Sequence, residues 1–583
     1  AIVFLLCVYL FQYEREKGLY SLVRCTKFGR FKTIISKFML LFVLSAVVSI
    51  LFIFCNFIIN TFLYGSTDLS VNIQSISEFR NCTLTVTAGQ FLILFAFAKI
   101  MGTFVISSFL ALVFIIFSSS ATMYLTGLVI IGAEYLLYTL IVQNSFLNLL
   151  KYINIFYILD GGEFFGSYLN LNIFSNAVAS IPIAFAVFCT VFLLCTVFSC
   201  ILFCKRNQQK TAGIFSRLFE KFKSRFFTLN GSTGIFKGEV FKFTIQNKMA
   251  VMIVLLVLFA IISSFGTVRY PYSENSDADY KAYMEYLEGD ITSEKENYIL
   301  EQQNYFNNLQ QRMGEIAENS ELSENAKQAM SKSIENILNS KGIAFERVIE
   351  QYNRLLELDK KGIDAKFIDE NIYKSFVSSK TREWNDFSLL CLVIVIGVPY
   401  VFSPEYKNGM INLIRTTENG KTKLFFGKIV VECIYLLIAF TVLYVPYFVR
   451  FINTYGANSL NTPLVCIFEN VQETSFSVIN AVVLNLVCYF LLATAVTFVI
   501  TAVSIFTRSS MFTMVVSTVL VILPLLALYS IENVRIGYWV VNSHIIAIVM
   551  TCLLSILIAI VTLEISKLKF TETRIWRRIN AKA

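Results

Sequence analysis

The feature that most constrains the folding of this chain is a succession of apolar runs, each long enough to cross a bilayer as a helix. A helix needs ~20 apolar residues to cover ~30 Å of hydrocarbon. Such runs fall at 1–12, 38–64, 91–117, 121–146, 176–204, 249–268, 386–403, 429–454, 476–506, 511–530 and 543–563, the first read as the end of a helix. Of the 583 residues, 56% are hydrophobic and only 15% charged, and the mean hydropathy is +0.65. Lipid is therefore the expected solvent for most of the chain. The runs do not show the ~10-residue alternation of a barrel strand. The fold class read here is an all-α polytopic membrane protein, with eleven spans in this sequence.

Lys and Arg then set the orientation, because cytoplasmic loops near helix ends carry the positive excess. Segments 13–37 and 205–248 and the tail 564–583 are basic and are expected inside, whereas 65–90, 147–175, 455–475 and 531–542 hold only Arg80, Lys151 and Arg535 and are expected outside. Eleven spans alternate under that assignment. The chain divides into a first transmembrane half at 1–204, a cytoplasmic linker at 205–248, a span at 249–268, a polar insert at 269–385, the remaining spans at 386–563 and the tail. In the linker, Phe215, Leu218, Phe219, Phe222 and Phe226 share one helical face and Arg217, Lys221, Lys223 and Arg225 the other, as in a basic helix lying in the inner interface. A second segment of that kind, Ile235 to Lys248, leads into the next span. The insert reads as an extracytoplasmic α-helical domain. Ser293 with Glu296 has capping-box spacing, a second helix starts near Ser323, Gly342 marks a stop, and Phe345, Ile349, Tyr352 and Leu356 continue in a third.

Most of the thirteen cysteines lie in apolar runs, where a thiol acts as a small hydrophobe. Only Cys82 and Cys466 fall in loops expected outside, so a disulfide in this chain would join that pair. With His544 as the one histidine and no clustered ligand spacing, no metal site is expected.

The strongest signal is a repeat. Glu14, Gly18, Leu22, Arg24, Thr26, Gly29, Arg30 and Lys37 match Glu405, Gly409, Leu413, Arg415, Thr417, Gly420, Lys421 and Lys428, every pair 391 positions apart. The interval returns at Ser118, Ser119, Thr122 and Met123 against Ser509, Ser510, Thr513 and Met514. A constant register over that distance reads as an internal duplication. Six spans separate the copies, so the repeat is parallel, giving two six-helix halves of which the first is incomplete. On this reading the sequence is a piece of a longer protein of twelve spans. In each repeated loop, Gly18 or Gly409 breaks a short surface helix and Arg24 or Arg415 is offered to an acidic partner.

Those loops resemble the loop between the second and third helices of ABC-2-type permeases, in the string Tyr13-Glu14-x-x-x-Gly18-Leu19-x-x-Leu22 through Gly29-Arg30 to Lys37, and in Glu405-x-x-x-Gly409 to Lys428. The resemblance extends to six helices per half, an interfacial helix before each half and an outer domain after its first helix. It implies that both loops, at Glu14, Gly18, Arg24, Gly29, Arg30 and Lys37 and at Glu405, Gly409, Arg415, Gly420, Lys421 and Lys428, contact a cytoplasmic ABC ATPase, with two copies expected. ATP and Mg would be bound there and not by this chain, since Gly420-Lys421-Thr422 lacks the earlier glycine of a phosphate loop, Arg415 standing in its place.

Within the spans, the sequence singles out Lys99 and Glu134 as a charge pair across neighbouring helices, with Phe490 and Leu525 at the 391 interval. The function expected is the permease subunit of an exporter in the bacterial inner or plasma membrane, moving a hydrophobic, lipid-like or peptide substrate. The chain is not expected to be an enzyme or to bind nucleic acid. A peptide-sensing subunit working through the same ATPase and an ion-coupled transporter are the alternatives.

Overall fold

The computed structural model covers the whole chain. It describes residues 6–571 apart from 8, 12–13, 15–18, 66–67, 77–78, 81, 83, 117–125, 128–129, 133, 136, 139–140, 142–147, 167–168, 174–175, 206–233, 248, 266–267, 269, 273–275, 319–322, 364, 408, 469–470, 472–475, 530 and 532–533. Seven helices among the described residues are long and apolar enough to cross a membrane: Phe31–Phe62, Ala88–Ile116, Ser180–Lys205, Glu370–Tyr406, Thr422–Tyr455, Val478–Thr507 and Ile545–Thr571. An eighth is formed if Ile235–Gln246 and Met249–Ile262, bent by 74°, count as one span. The chain is thus a multi-pass, helical membrane protein.

The other expected spans fare differently. Segment 121–146 and the expected basic helix at Phe215 to Phe226 lie largely or wholly outside the described residues. Segment 511–530 is not one uniform helix: it runs as Ser510–Ser517, a π turn at Thr518–Ile522 and Leu523–Leu528. Pro524 explains the break, because its ring excludes the hydrogen bond and space of a regular turn, and a wide turn before it absorbs the mismatch.

Two compact units are distinguished, residues 1–233 with 244–252, and 234–243 with 253–583. In the first, Ala88–Ile116 packs with Phe31–Tyr64 and Ser180–Lys205. Phe91, Tyr157, Phe164 and Phe165 fill the end of that bundle over three short helices and a hairpin, Asn170–Ile173 paired antiparallel with Asn176–Ala179. That hairpin lies where the sequence suggested only a loop. Cys82 is buried there and donates to the Phe165 carbonyl at 3.0 Å. Cys466 is buried in the other unit, and no disulfide is formed among the described residues.

In the second unit the insert is helical, as expected, in Asp277–Leu287, Ser293–Glu318, Glu324–Ile337, Ile343–Lys360 and Glu370–Val377. Ser323 caps its helix, accepting from Ala326 N. At Ser293 the cap is one residue earlier, where Thr292 Oγ1 accepts from Lys295 N at 3.5 Å. Gly342 does not stop a helix: a π segment, Leu338–Gly342, carries the chain straight into Ile343–Lys360. The insert has an apolar core that includes Met284, Leu287, Phe345 and Leu355, and with it a buried polar knot. Arg347 meets the fully buried Asp277 at 2.8 Å, and Asn371 accepts from Arg347 and donates to Asp277, each at 2.8 Å.

Beside it Asp369 starts helix Glu370–Val377, accepting from Ile372 N at 3.2 Å and from the Tyr270 hydroxyl at 3.3 Å. Burial nevertheless dominates and pushes the Asp369 carboxyl up to about 6. Between roughly pH 4, where a free Asp titrates, and about 6 the folded insert keeps a proton that the unfolded chain has lost. Its stability therefore falls as pH rises through that window, by up to about 3 kcal/mol, and is level above it. In Asp369→Asn this slope disappears; protection of 277–377 from proteolysis, followed from pH 4 to 7 in both proteins, measures it.

Candidate functional site

Two turns, one in each unit, are built alike from the matched residues. Helix Phe31–Tyr64 and helix Thr422–Tyr455 are both 34 residues long. Before them the chain takes the same unusual backbone, with φ −110° and ψ −97° at Arg30 and φ −104° and ψ −100° at Lys421. Thr26 Oγ1 donates to Val23 O and Thr417 Oγ1 to Ile414 O, each at 2.7 Å, closing the short helices Tyr20–Cys25 and Met410–Thr416. Gly29 N and Gly420 N then donate to Thr26 O and Thr417 O, each at 3.1 Å. A Cβ on Gly29 would lie 1.6 Å from Val23 O, and one on Gly420 would lie 1.7 Å from Ile414 O. Only glycine allows this approach. Gly409, at φ 67°, precedes its helix in the left-handed conformation, whereas Gly18 is outside the described residues.

Charge ties each turn to the helix that follows it. Glu14 pairs with Lys37 at 2.8 Å, and Glu405 with Lys428 at 3.0 Å. Lys37 also donates to Leu10 O at 2.7 Å, and Lys428 to Val401 O at 2.8 Å, again at the 391 interval. In the second unit the pair is extended: Glu239, on helix Ile235–Phe241, meets Lys428 at 2.5 Å and Lys242 at 2.6 Å, and Lys242 returns to Glu405 at 3.1 Å. Two carboxylates and two ammoniums thus alternate in a closed ring, with Glu239, Glu405 and Lys428 buried.

The arginines hold the other side of each turn. Arg24 donates to Cys204 O at 2.8 Å, at the end of helix Ser180–Lys205, and Arg415 to Lys569 O at 3.3 Å, near the end of Ile545–Thr571. A guanidinium at a helix C-terminus satisfies carbonyls that lack a helical partner and opposes the helix dipole. Each guanidinium, which the sequence suggested is offered to an acidic partner, thus has a carbonyl partner within its own unit. Each short helix also exposes large apolar side chains among its polar ones, Leu22 in one, with Leu19 just before it, and Met410 and Leu413 in the other, with Leu22 at 67% and Leu413 at 73% exposure. Arg30 and Lys421 are exposed beside them.

The charge pair expected in the first unit is not made. Lys99 donates to the Leu159 carbonyl and feels the charge of Asp160, while Asn154 donates to the backbone of Glu134, and no ion pair joins Lys99 to Glu134 among the described residues. An ammonium with a near carbonyl and a neighbouring carboxylate needs no more distant partner. Two buried carboxylates in candidate spans were not singled out from sequence. Glu432, one turn beyond Lys428, is fully buried and accepts from Thr501 Oγ1 at 2.7 Å. Glu383 accepts from the Tyr489 hydroxyl at 2.8 Å and from Gly537 N at 3.1 Å. The i+4 spacing from Lys428 was the one available signal for Glu432, and Glu383 sits at the polar border of its span.

No family model, no curated protein and no solved structure matches this chain. No group of three or more His, Cys, Asp or Glu side chains suited to a metal occurs among the described residues.

Proposed function

We propose that this chain is the membrane subunit of an ATP-driven exporter of the ABC-2 type, with two parallel six-helix halves in one polypeptide and its ATPase on a separate chain. The observation that carries this reading is the doubly built turn, with the same glycine contact, Glu–Lys bridge and arginine clamp at Glu14 to Lys37 and at Glu405 to Lys428. The Lys of each following span grips the chain before the turn, through Glu14 and Leu10 O or through Glu405 and Val401 O, and the Arg fastens the short helix to another long helix of its unit. A force on the short helix therefore reaches that long helix through the Arg and the following span through the tight glycine turn, as a coupling handle requires. Leu22 and Leu413 are the exposed knobs through which the ATPase engages it, and the basic residues Arg30 and Lys421 flank the contact. The cargo on this reading is an amphiphile, lipid-like or peptide.

Affinity purification of the tagged chain from its native membrane tests the proposal, with an ABC ATPase expected to co-purify. Leu22→Glu with Leu413→Glu places two charges in an apolar contact and is expected to abolish co-purification, each single change weakening it by roughly tenfold or more. Retention of the ATPase by the double variant overturns the assignment of these knobs. The buried carboxylates Glu383 and Glu432 favour a second reading, ion-coupled transport without an ATPase. Cargo movement driven by a pH gradient in vesicles holding this chain alone would support that reading over the first.

A further inference from the structure

Where the last helix of the insert, Glu370–Val377, meets helix Lys380–Gly397, a cavity of about 60 Å³ lies against helices Thr422–Tyr455 and Val478–Thr507. That is room for about four waters. Arg382, Glu383, Asp386, Tyr444, Asn485 and Tyr489 supply its polar lining, with Phe376, Tyr447 and Phe448 beside them.

Acceptor oxygens stand out among the lining's polar atoms left without a hydrogen-bond partner. Glu383 is 6% and Asn485 8% exposed. Glu383 Oε2 is taken by Tyr489 and Gly537, but Oε1 accepts no hydrogen bond, and Arg535 approaches it only to 3.9 Å. Asn485 spends its Nδ2 on the Val377 carbonyl at 3.1 Å, leaving Oδ1 without a donor, and the Tyr444 hydroxyl has no partner. Asp386 adds a second carboxylate. Arg382, the one guanidinium in the lining, directs its N–H groups to the carbonyls of Ser375 and Phe376, at 3.1 and 2.6 Å. The lining thus offers unfilled acceptors and a phenol, while the charge of its two carboxylates is met by Arg382, by Arg535 beside Glu383 and by Arg450, which also acts on Asp386. Buried acceptors left unfilled are costly. The complementary guest is small and carries several donors and no acceptor. A primary ammonium has three donors and no acceptor, and the surrounding tyrosine and phenylalanine rings favour it over an anion.

We propose that this cavity is a seat for a primary ammonium group, carried by a peptide's lysine or N-terminus or by an aminated lipid head. The site rests on the exporter reading only for its meaning as a cargo contact, since binding itself needs no ATPase. The full chain in phosphatidylcholine nanodiscs, titrated with methylammonium chloride at constant ionic strength, tests it through the fluorescence of Trp384, the neighbour of Glu383. A saturable change is expected with methylammonium and none with sodium or with tetramethylammonium, which has the charge but no N–H. Asp386→Asn, which keeps the side chain's shape, should weaken binding roughly tenfold. Competition by added phosphatidylethanolamine supports a lipid amine as the source, and competition by lysine amide alone supports a peptide amine. No saturable response, an equal response to sodium, or unchanged binding in Asp386→Asn overturns the proposal. Any of these leaves the ATPase co-purification untouched, so the two readings fail separately.

Discussion

Lys428→Met is expected to destabilise the second unit by about 3–5 kcal/mol, the cost of breaking a buried ion pair from one side. Lys428 is 1% exposed and lies between Glu239 and Glu405, so its loss leaves two buried carboxylates sharing Lys242. The Lys242 side chain is 39% exposed, and its replacement should cost only about 1 kcal/mol, in the range of surface pairs. Lys37→Met provides the internal comparison. It strips one partner from Glu14, whose side chain is 22% exposed, so solvent can reach the abandoned charge and the loss should be smaller. The order Lys428 above Lys37 above Lys242 follows from burial alone. Adding Glu239→Gln and Glu405→Gln to Lys428→Met removes the uncompensated charges and should recover most of the loss. Thermal unfolding in detergent, read by thiol labelling at the buried Cys391, measures all of these. A Lys428→Met protein that melts like Lys37→Met would show that the ring is not held as described.

The reach of the sequence in this protein follows from the length scale of each signal. Helical spans were legible because each is set by its own run of apolar residues, and Phe31–Tyr64 or Val478–Thr507 needs no distant information to be recognised. The matched loops were legible as a pattern, since Glu14, Lys37 and their counterparts keep one interval. Their structural role was only half visible. Arg24 ends on the Cys204 carbonyl, and a backbone oxygen has no residue type by which to announce itself. Glu239 was hidden for another reason: in Ile235 to Lys248 it is one acid among basic and aromatic neighbours, and reads as part of an interfacial stretch until the fold brings Lys428 within 2.5 Å. Lys99 shows the converse error. Two opposite charges on neighbouring spans suggest a pair, but Leu159 is nearer, and only the turn of the intervening chain brings it there.

The glycines of the twin turns give the second large effect. In Gly420→Ala the new methyl would sit 1.7 Å from Ile414 O and 2.5 Å from Thr417 Oγ1, and in Gly29→Ala 1.6 Å from Val23 O and 2.6 Å from Thr26 Oγ1. In each case the nearer obstacle is backbone, which cannot swing aside as a side chain can. The carbonyl that must move is the acceptor that closes the short helix, so relief of the clash breaks the Thr417–Ile414 or Thr26–Val23 bond with it. Strain and lost bonds together should cost about 3 kcal/mol locally, which opens the turn roughly a hundredfold more often. Trypsin reads this directly, because Lys27, Arg30, Lys421 and Lys423 are exposed at the turns. Cleavage there should accelerate in proportion, with the helical circular dichroism of the spans unchanged. Gly427→Ala is the control: its methyl would meet only Ile235 Cγ2 at 3.4 Å, an ordinary contact, and cleavage should stay near the wild-type rate. The two turns lie in different units, so Gly29→Ala should loosen only the first and Gly420→Ala only the second. If both turns serve as handles for one ATPase, either change alone should lower coupled hydrolysis. The double variant should then do little more harm than the worse single one, because a motor gripping one loose handle already slips. Additive losses would instead mean that each turn contributes to ATPase binding independently.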